Sequence, residues 1–223
     1  MQGIIFDFNG TMFFDEKFQN ISWRTFIEQK VGRDISDHEF QEYIHGRNAD
    51  ASFSYLFNKT LTRQEIMALE EEKETIYRQL CMESEDFKLA DGLPRFLDEL
   101  CAGNVPHTIA TASGWENVRF FFEHLRLDQW FRLEDVVYND GTIRGKPEPD
   151  IYLRAAETIH VDIADCVVFE DAKSGIESAR RAGAGRIVGV ASMLDRHTLL
   201  DLGASVAIDD YNDLNLTSRR NFL

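Results

Sequence analysis

The sequence predicts an α/β protein: a parallel sheet covered by helices, with an all-helical segment inserted after the first strand. Three observations carry that expectation. From about Leu89 onward, short apolar runs alternate with longer helical patterns, which is the signature of right-handed βαβ units. Between Asp15 and about Asp86 there are helical patterns and no strand. The 223 residues are 43% hydrophobic and 28% charged, a globular composition in a chain long enough for a sizeable core.

Gly3 to Phe8 reads as the first strand, an apolar run closed by Asp7-Phe8-Asn9-Gly10. Phe18, Ile21, Phe26 and Ile27 suit a helix that stops near Gly32. Ser36-Asp37-His38-Glu39 and Thr62-Arg63-Gln64-Glu65 each have capping-box spacing and open a helix. Phe40, Tyr43 and Ile44 give the first of these an apolar stripe, and Ile66, Leu69, Ile76 and Leu80 do so for the second. Leu93 to Ala102 is a helix closed by Gly103, Pro106 to Thr111 a strand, and Trp115 to Leu125 a helix. Val136 to Tyr138 is a short strand followed by the turn residues Asn139-Asp140-Gly141. Asp150 to Thr158 is helical, Cys166 to Phe169 a strand, Lys173 to Ala182 a helix, Ile187 to Val190 and Val206 to Ile208 strands. The expected organisation is a core of residues 1–14 and 87–223, a Rossmann-like three-layer parallel sheet, with a small helical cap over 15–86.

Charge and cysteine usage bound the function. Twenty-four basic against 39 acidic side chains leave a net charge of −15, the wrong sign for nucleic acid or an anionic membrane. No apolar run approaches the ~18 residues of a membrane helix. The three cysteines, Cys81, Cys101 and Cys166, form no metal-binding pattern and read as reduced thiols. The amino terminus lacks a basic region followed by an apolar stretch, so a cytoplasmic protein is expected.

In open α/β sheets, ligands sit at the carboxyl ends of the strands. The residues there are Asp7 to Thr11, Thr111-Ala112-Ser113-Gly114 and Glu170-Asp171, joined by Lys146. Singly, each has an ordinary role: a turn aspartate, a strand-end hydroxyl, a loop lysine, acids at a helix start. Jointly they make an oxygen-rich site suited to Mg²⁺. Thr111 and the helix opening after Ser113-Gly114 suit phosphate, and Lys146 adds a positive charge. Gly10, Thr11, Ala112 and Ser113 line the same turns and are expected at the substrate. A metal and one lysine would let so acidic a chain hold a phosphoryl group.

Four motifs in this order carry a resemblance: Asp7-Phe8-Asn9-Gly10-Thr11, Ile109-Ala110-Thr111-Ala112-Ser113, Gly145-Lys146-Pro147-Glu148-Pro149-Asp150, and Val168-Phe169-Glu170-Asp171-Ala172-Lys173-Ser174-Gly175-Ile176. The chain resembles the haloacid dehalogenase superfamily, in the branch with a helical cap inserted after the first motif, alongside phosphoglycolate phosphatase-like phosphatases and β-phosphoglucomutases. The resemblance implies that Asp7 takes up the phosphoryl group as an aspartyl phosphate. It implies Mg²⁺ on the Asp7 carboxylate, the Asn9 carbonyl and Asp171, with Glu170 behind them, and Thr111 and Lys146 on the phosphoryl oxygens. The substrate implied is a small phosphorylated metabolite.

Position 9 departs from the pattern. The phosphatases and mutases of this superfamily carry a second aspartate there, which protonates the leaving group and then activates water. Asn9 cannot exchange a proton in that role. Three readings fit: leaving groups that need little protonation, a proton supplied by another residue such as His45, or an engineered Asp→Asn. A mutase would suffer most, and the cap histidine of the mutases has no counterpart near Gln19 and Asn20. The alternative to a phosphatase is an impaired member that binds a phosphorylated ligand. His45-Gly46-Arg47-Asn48 lies between two cap helices, and Arg47, with its planar fork of donors, is expected to touch the substrate together with His45.

Overall fold

The computed structural model describes residues 2–44 and 49–214. The chain divides into two compact units, Met1–Phe14 with Lys88–Leu223, and Asp15–Phe87. In chain order the elements are β1 (Gly3–Phe6), α1 (Glu16–Val31), α2 (Asp37–Tyr43), α3 (Ala49–Phe57), α4 (Arg63–Met82), α5 (Leu93–Ala102), β2 (His107–Ile109), α6 (Trp115–Leu125), α7 (Asp150–Thr158), β3 (Cys166–Glu170), α8 (Lys173–Ala182), β4 (Arg186–Val190), α9 (Arg196–Asp201) and β5 (Val206–Ile208).

The strands form one parallel, Rossmann-like sheet in the order β2-β1-β3-β4-β5. The first connection leaves β1 toward one edge and the later ones build out from its other side. The order therefore reverses at β1, and a crevice opens beyond its carboxyl end. A parallel sheet is buried on both faces, so its strands are apolar throughout rather than alternating. Successive side chains then feed two cores. Phe6 stacks on Phe169 at 5.0 Å between centroids, with Phe96 and Tyr211 each at 6.2 Å from it. Ile5 and Val168 join Tyr152, Ile176 and Ala179 in an aliphatic cluster. Each such buried side chain contributes about 1.5–3 kcal/mol.

β1 stops at Phe6 rather than Phe8, because the Phe8 carbonyl accepts the amides of Thr11, Met12 and Phe13 and curls the chain. The strand expected over 106–111 is limited to His107–Ile109. The one expected over 136–138 is a single parallel bridge between Ala110 and Val137. Two helices had no expectation, α3 and α9. Asp195 caps α9 by accepting from the Thr198 amide, without the Glu or Gln that completes a capping box.

In the helical unit, α1 packs against α4. Gly32 ends α1 with φ 75°, its amide bonded to the Glu28 carbonyl. Thr62 and Glu65 form a reciprocal capping box. At Ser36 the box is half made: its hydroxyl accepts from the Glu39 amide, while the Glu39 carboxylate turns to Arg33 and Tyr55. The expected α4 stripe is also displaced. Ile66, Leu69 and Ile76 are only partly buried, whereas Lys73, Tyr77 and Cys81 are fully so. Their polar heads are satisfied: Tyr77 donates to Asp15 at 2.8 Å, and Lys73 to Gln19 at 2.5 Å and Glu74 at 2.8 Å. Cys81 and Cys166 are buried free thiols and Cys101 is exposed. No helix among the described residues is long and apolar enough to cross a membrane.

Candidate active site

Asp7 is the first residue past β1, and its amide still pairs with the Phe169 carbonyl at 3.0 Å. The turn that follows needs a glycine at position 10 for two reasons. Gly10 has φ 74°, and a Cβ there would lie 2.1 Å from Asp171 Oδ2. The turn thus brings the first and fourth motifs into contact. Thr11 donates its hydroxyl to Asp171 Oδ1 at 3.3 Å, and the Tyr211 hydroxyl donates to the Thr11 carbonyl at 3.3 Å.

Lys146 closes the site from the loop before α7. Its Nζ lies 2.5 Å from Asp7 Oδ1 and 2.6 Å from Glu170 Oε1, and its side chain is 9% exposed. Glu170 is held in turn by the Tyr152 hydroxyl at 2.8 Å and the Ala172 amide at 2.9 Å. Tyr152 also lends its ring face to Lys146 at 5.0 Å. This tyrosine has no counterpart in the sequence reading. The available signal was its place one turn into the helix that follows Lys146.

Thr111 and Ser113 sit beyond β2. The Thr111 hydroxyl accepts the Ser113 amide at 3.1 Å, and the Ser113 hydroxyl donates to Asn9 Oδ1 at 2.8 Å. Ala112 is exposed and Gly10 buried. The α/β unit therefore gathers Asp7, Asn9, Gly10, Thr11, Thr111, Ser113, Lys146, Glu170 and Asp171 at one sheet edge. His45 and Arg47 lie outside the described residues.

Charge in this pocket is unbalanced. Asp7, Glu170 and Asp171 are buried and offer oxygens within 4.8 Å of one another. Burial pushes the Asp7 carboxyl up to about 7; Lys146 opposes the shift and Glu170 adds to it. Burial works against the charge on Lys146, but Asp7 and Glu170 outweigh it and hold its pKa well above the ordinary lysine value. The lysine is thus a fixed positive charge against three carboxylates. This donor set fits Mg²⁺, a hard cation that favours carboxylate oxygens and a backbone carbonyl.

The sequence model of the haloacid dehalogenase-like hydrolases matches residues 4–189. The chain belongs to that family. This hydrolase is 36% identical to a solved family IA, variant 3 hydrolase of Entamoeba histolytica, over 99% of this chain and 98% of that one, with a TM-score of 0.93. It is 26% identical to the phosphorylated carbohydrates phosphatase of Thermotoga maritima over 97% of this chain and 98% of that protein. It is 27% identical to the β-phosphoglucomutase of Bacillus subtilis over 97% and 92% of the two chains. The α/β fold and hydrolase membership expected from the four motifs stand.

Proposed function

We propose that this hydrolase is a Mg²⁺-dependent phosphatase of small phosphorylated metabolites that works through an aspartyl phosphate on Asp7. The observation that carries the reading is the Asp7–Lys146–Glu170 chain, with contacts of 2.5 and 2.6 Å at the sheet's switch point. A carboxylate held this close to a buried ammonium can receive a phosphoryl group whose charge the same ammonium balances. The phosphatase name of one full-length relative supports it.

In this reading an Asp7 oxygen attacks phosphorus in line with the departing oxygen. Lys146 and the Thr111 hydroxyl hold the phosphoryl oxygens, and the turns at Gly10-Thr11 and Ala112-Ser113 surround them. Asp7, the Asn9 carbonyl and Asp171 would hold Mg²⁺, with Glu170 fixing Lys146. When bound there, the metal supplies positive charge for the equatorial oxygens. Water then cleaves the acyl phosphate and restores Asp7. We assign residues 15–87 the cap's part, with His45 and Arg47 toward the substrate, and place the protein in the cytoplasm on its three free thiols.

Asn9 favours one other reading, an impaired member that only binds its ligand. Phosphate release from a panel of phosphorylated metabolites, with and without Mg²⁺, separates the two. The phosphatase reading expects metal-dependent release that falls to background in Asp7→Asn. Equal release by that variant would sink it, and no release by either Asn9 or Asn9→Asp protein leaves a binding protein.

A further inference from the structure

Two aromatic rings stand beside the turn at Thr111-Ala112-Ser113, and neither is buried in the core. Trp115 opens α6 directly after Gly114. Its side chain is 39% exposed, and its ring lies 5.2 Å from that of Tyr138, tilted by 38°. Tyr138 is half-buried. Both residues belong to the α/β unit.

Backbone bonds fix where the pair sits. Val137 bridges Ala110 in parallel, and its carbonyl accepts the Thr111 amide at 2.9 Å. Tyr138 comes next. The Asn139 amide then donates to the Ser113 carbonyl at 3.1 Å. Ser113 in turn donates its hydroxyl to Asn9 Oδ1 at 2.8 Å, two residues past Asp7. The rings are therefore tied into the loop that follows β2, on the carboxyl edge of the sheet. Trp115 is two residues from Ser113, a stretch of chain that spans at most ~7 Å.

Helical spacing gives part of the reason for an apolar residue here. Trp115 lies three and seven residues before Val118 and Phe122, which are buried, so it heads the apolar stripe of α6. That position does not account for an indole left open to solvent beside a second ring. Gly114 adds room. Its φ of −77° suits any residue, and a Cβ there would meet nothing within 4 Å. The fold does not require this glycine, and its bare backbone leaves open space between Ser113 and Trp115.

Building on phosphoryl transfer at Asp7, we propose that Trp115 and Tyr138 form a ledge that selects phosphate esters whose alcohol carries a flat aromatic ring system, as a nucleoside does. The phosphoryl group sits at Asp7 and Lys146, a sugar-sized spacer passes Ser113 and Gly114, and the ring lies on the indole face. Such a contact takes apolar surface of both partners out of water and sets two π systems in an offset stack. A plain sugar phosphate fills the near part of the site and has no π face to lay on the ledge.

Adenosine and uridine 5′-monophosphates against ribose 5-phosphate isolate the ring, since the three share the phosphoryl group and the pentose. With Mg²⁺ and the full chain, kcat/KM should be about 5- to 150-fold higher for one or both nucleotides, the range that one stacked base supplies. Trp115→Ala should bring that ratio close to one, and Trp115→Phe should keep most of it. Nucleotide binding should also quench tryptophan emission, and Trp115→Phe should bind while losing the quench. Equal kcat/KM for the three esters, or a ratio that survives Trp115→Ala, would overturn the ledge. If none of the three releases phosphate, the phosphatase reading fails on them, and calorimetric affinities decide the ledge by themselves. The nucleotides should then bind more tightly than ribose 5-phosphate by the same factor. Equal affinities, or no binding at all, would overturn the proposal.

Discussion

A methyl group on Gly175 would sit 1.6 Å from Glu170 Oε1, the same oxygen that receives Lys146 and Tyr152. The glycine is therefore part of how Glu170 is seated, from the first turn of α8. Gly175→Ala must displace that carboxylate and break two charge-linked contacts. The cost expected is about 1–3 kcal/mol, as for overpacking a close-packed interior, read as a lower urea midpoint at unchanged slope. Phosphate release should fall with it, because Lys146 loses the partner that aims it. Wild-type stability in Gly175→Ala would show that Glu170 has room to move. Position 175 lies inside the fourth motif, yet its role was not legible. The sequence shows a glycine near a helix start, and only the fold shows what fills the space above it.

At the scale of elements, legibility followed local chemistry. Helices α5, α6, α7 and α8 carry strong apolar periodicity with a glycine or proline at a boundary, and their limits could be read residue by residue. The Thr62–Glu65 box could be read for the same reason, since both partners lie within one turn. Thr62→Ala should cost about 1 kcal/mol, measured as a shift in urea midpoint, and Thr62→Ser should recover most of it. An unchanged midpoint would mean that α4 is held by packing alone. What could not be read was set by distant residues. Lys73 on α4 is drawn inside by Gln19, 54 positions away. The bond from Ser113 to Asn9 spans 104 positions, so the missing carboxylate was legible along the chain and the group that holds its replacement was not. The strand ends were overdrawn because apolar residues continue past the last ladder bond into the turn at Phe8.

For the whole molecule, the net charge of −15 sets a long-range field that repels an anionic substrate, while the attraction of Lys146 acts only at close quarters. Added salt screens the first far more than the second, with a Debye length that falls from ~30 Å at 0.01 M to ~8 Å at 0.15 M. At fixed Mg²⁺ and subsaturating substrate, kcat/KM should rise as NaCl increases over that range. A fall would show that local cations govern the approach instead.

The insertion of the helical unit has a consequence for how such a chain can change over time. The chain leaves the α/β unit after Phe14 and returns at Lys88. The Ala90 amide bonds the Met12 carbonyl at 2.8 Å, so the exit and the return are tied together inside the α/β unit itself. Seventy-three residues between them (88 − 15) can be lengthened, exchanged or rebuilt without reopening the sheet, since loop length costs little once the ends are fixed. The chemistry is inherited with the sheet edge. The sequence of the inserted module is thus free to drift while the strands of the sheet keep their register.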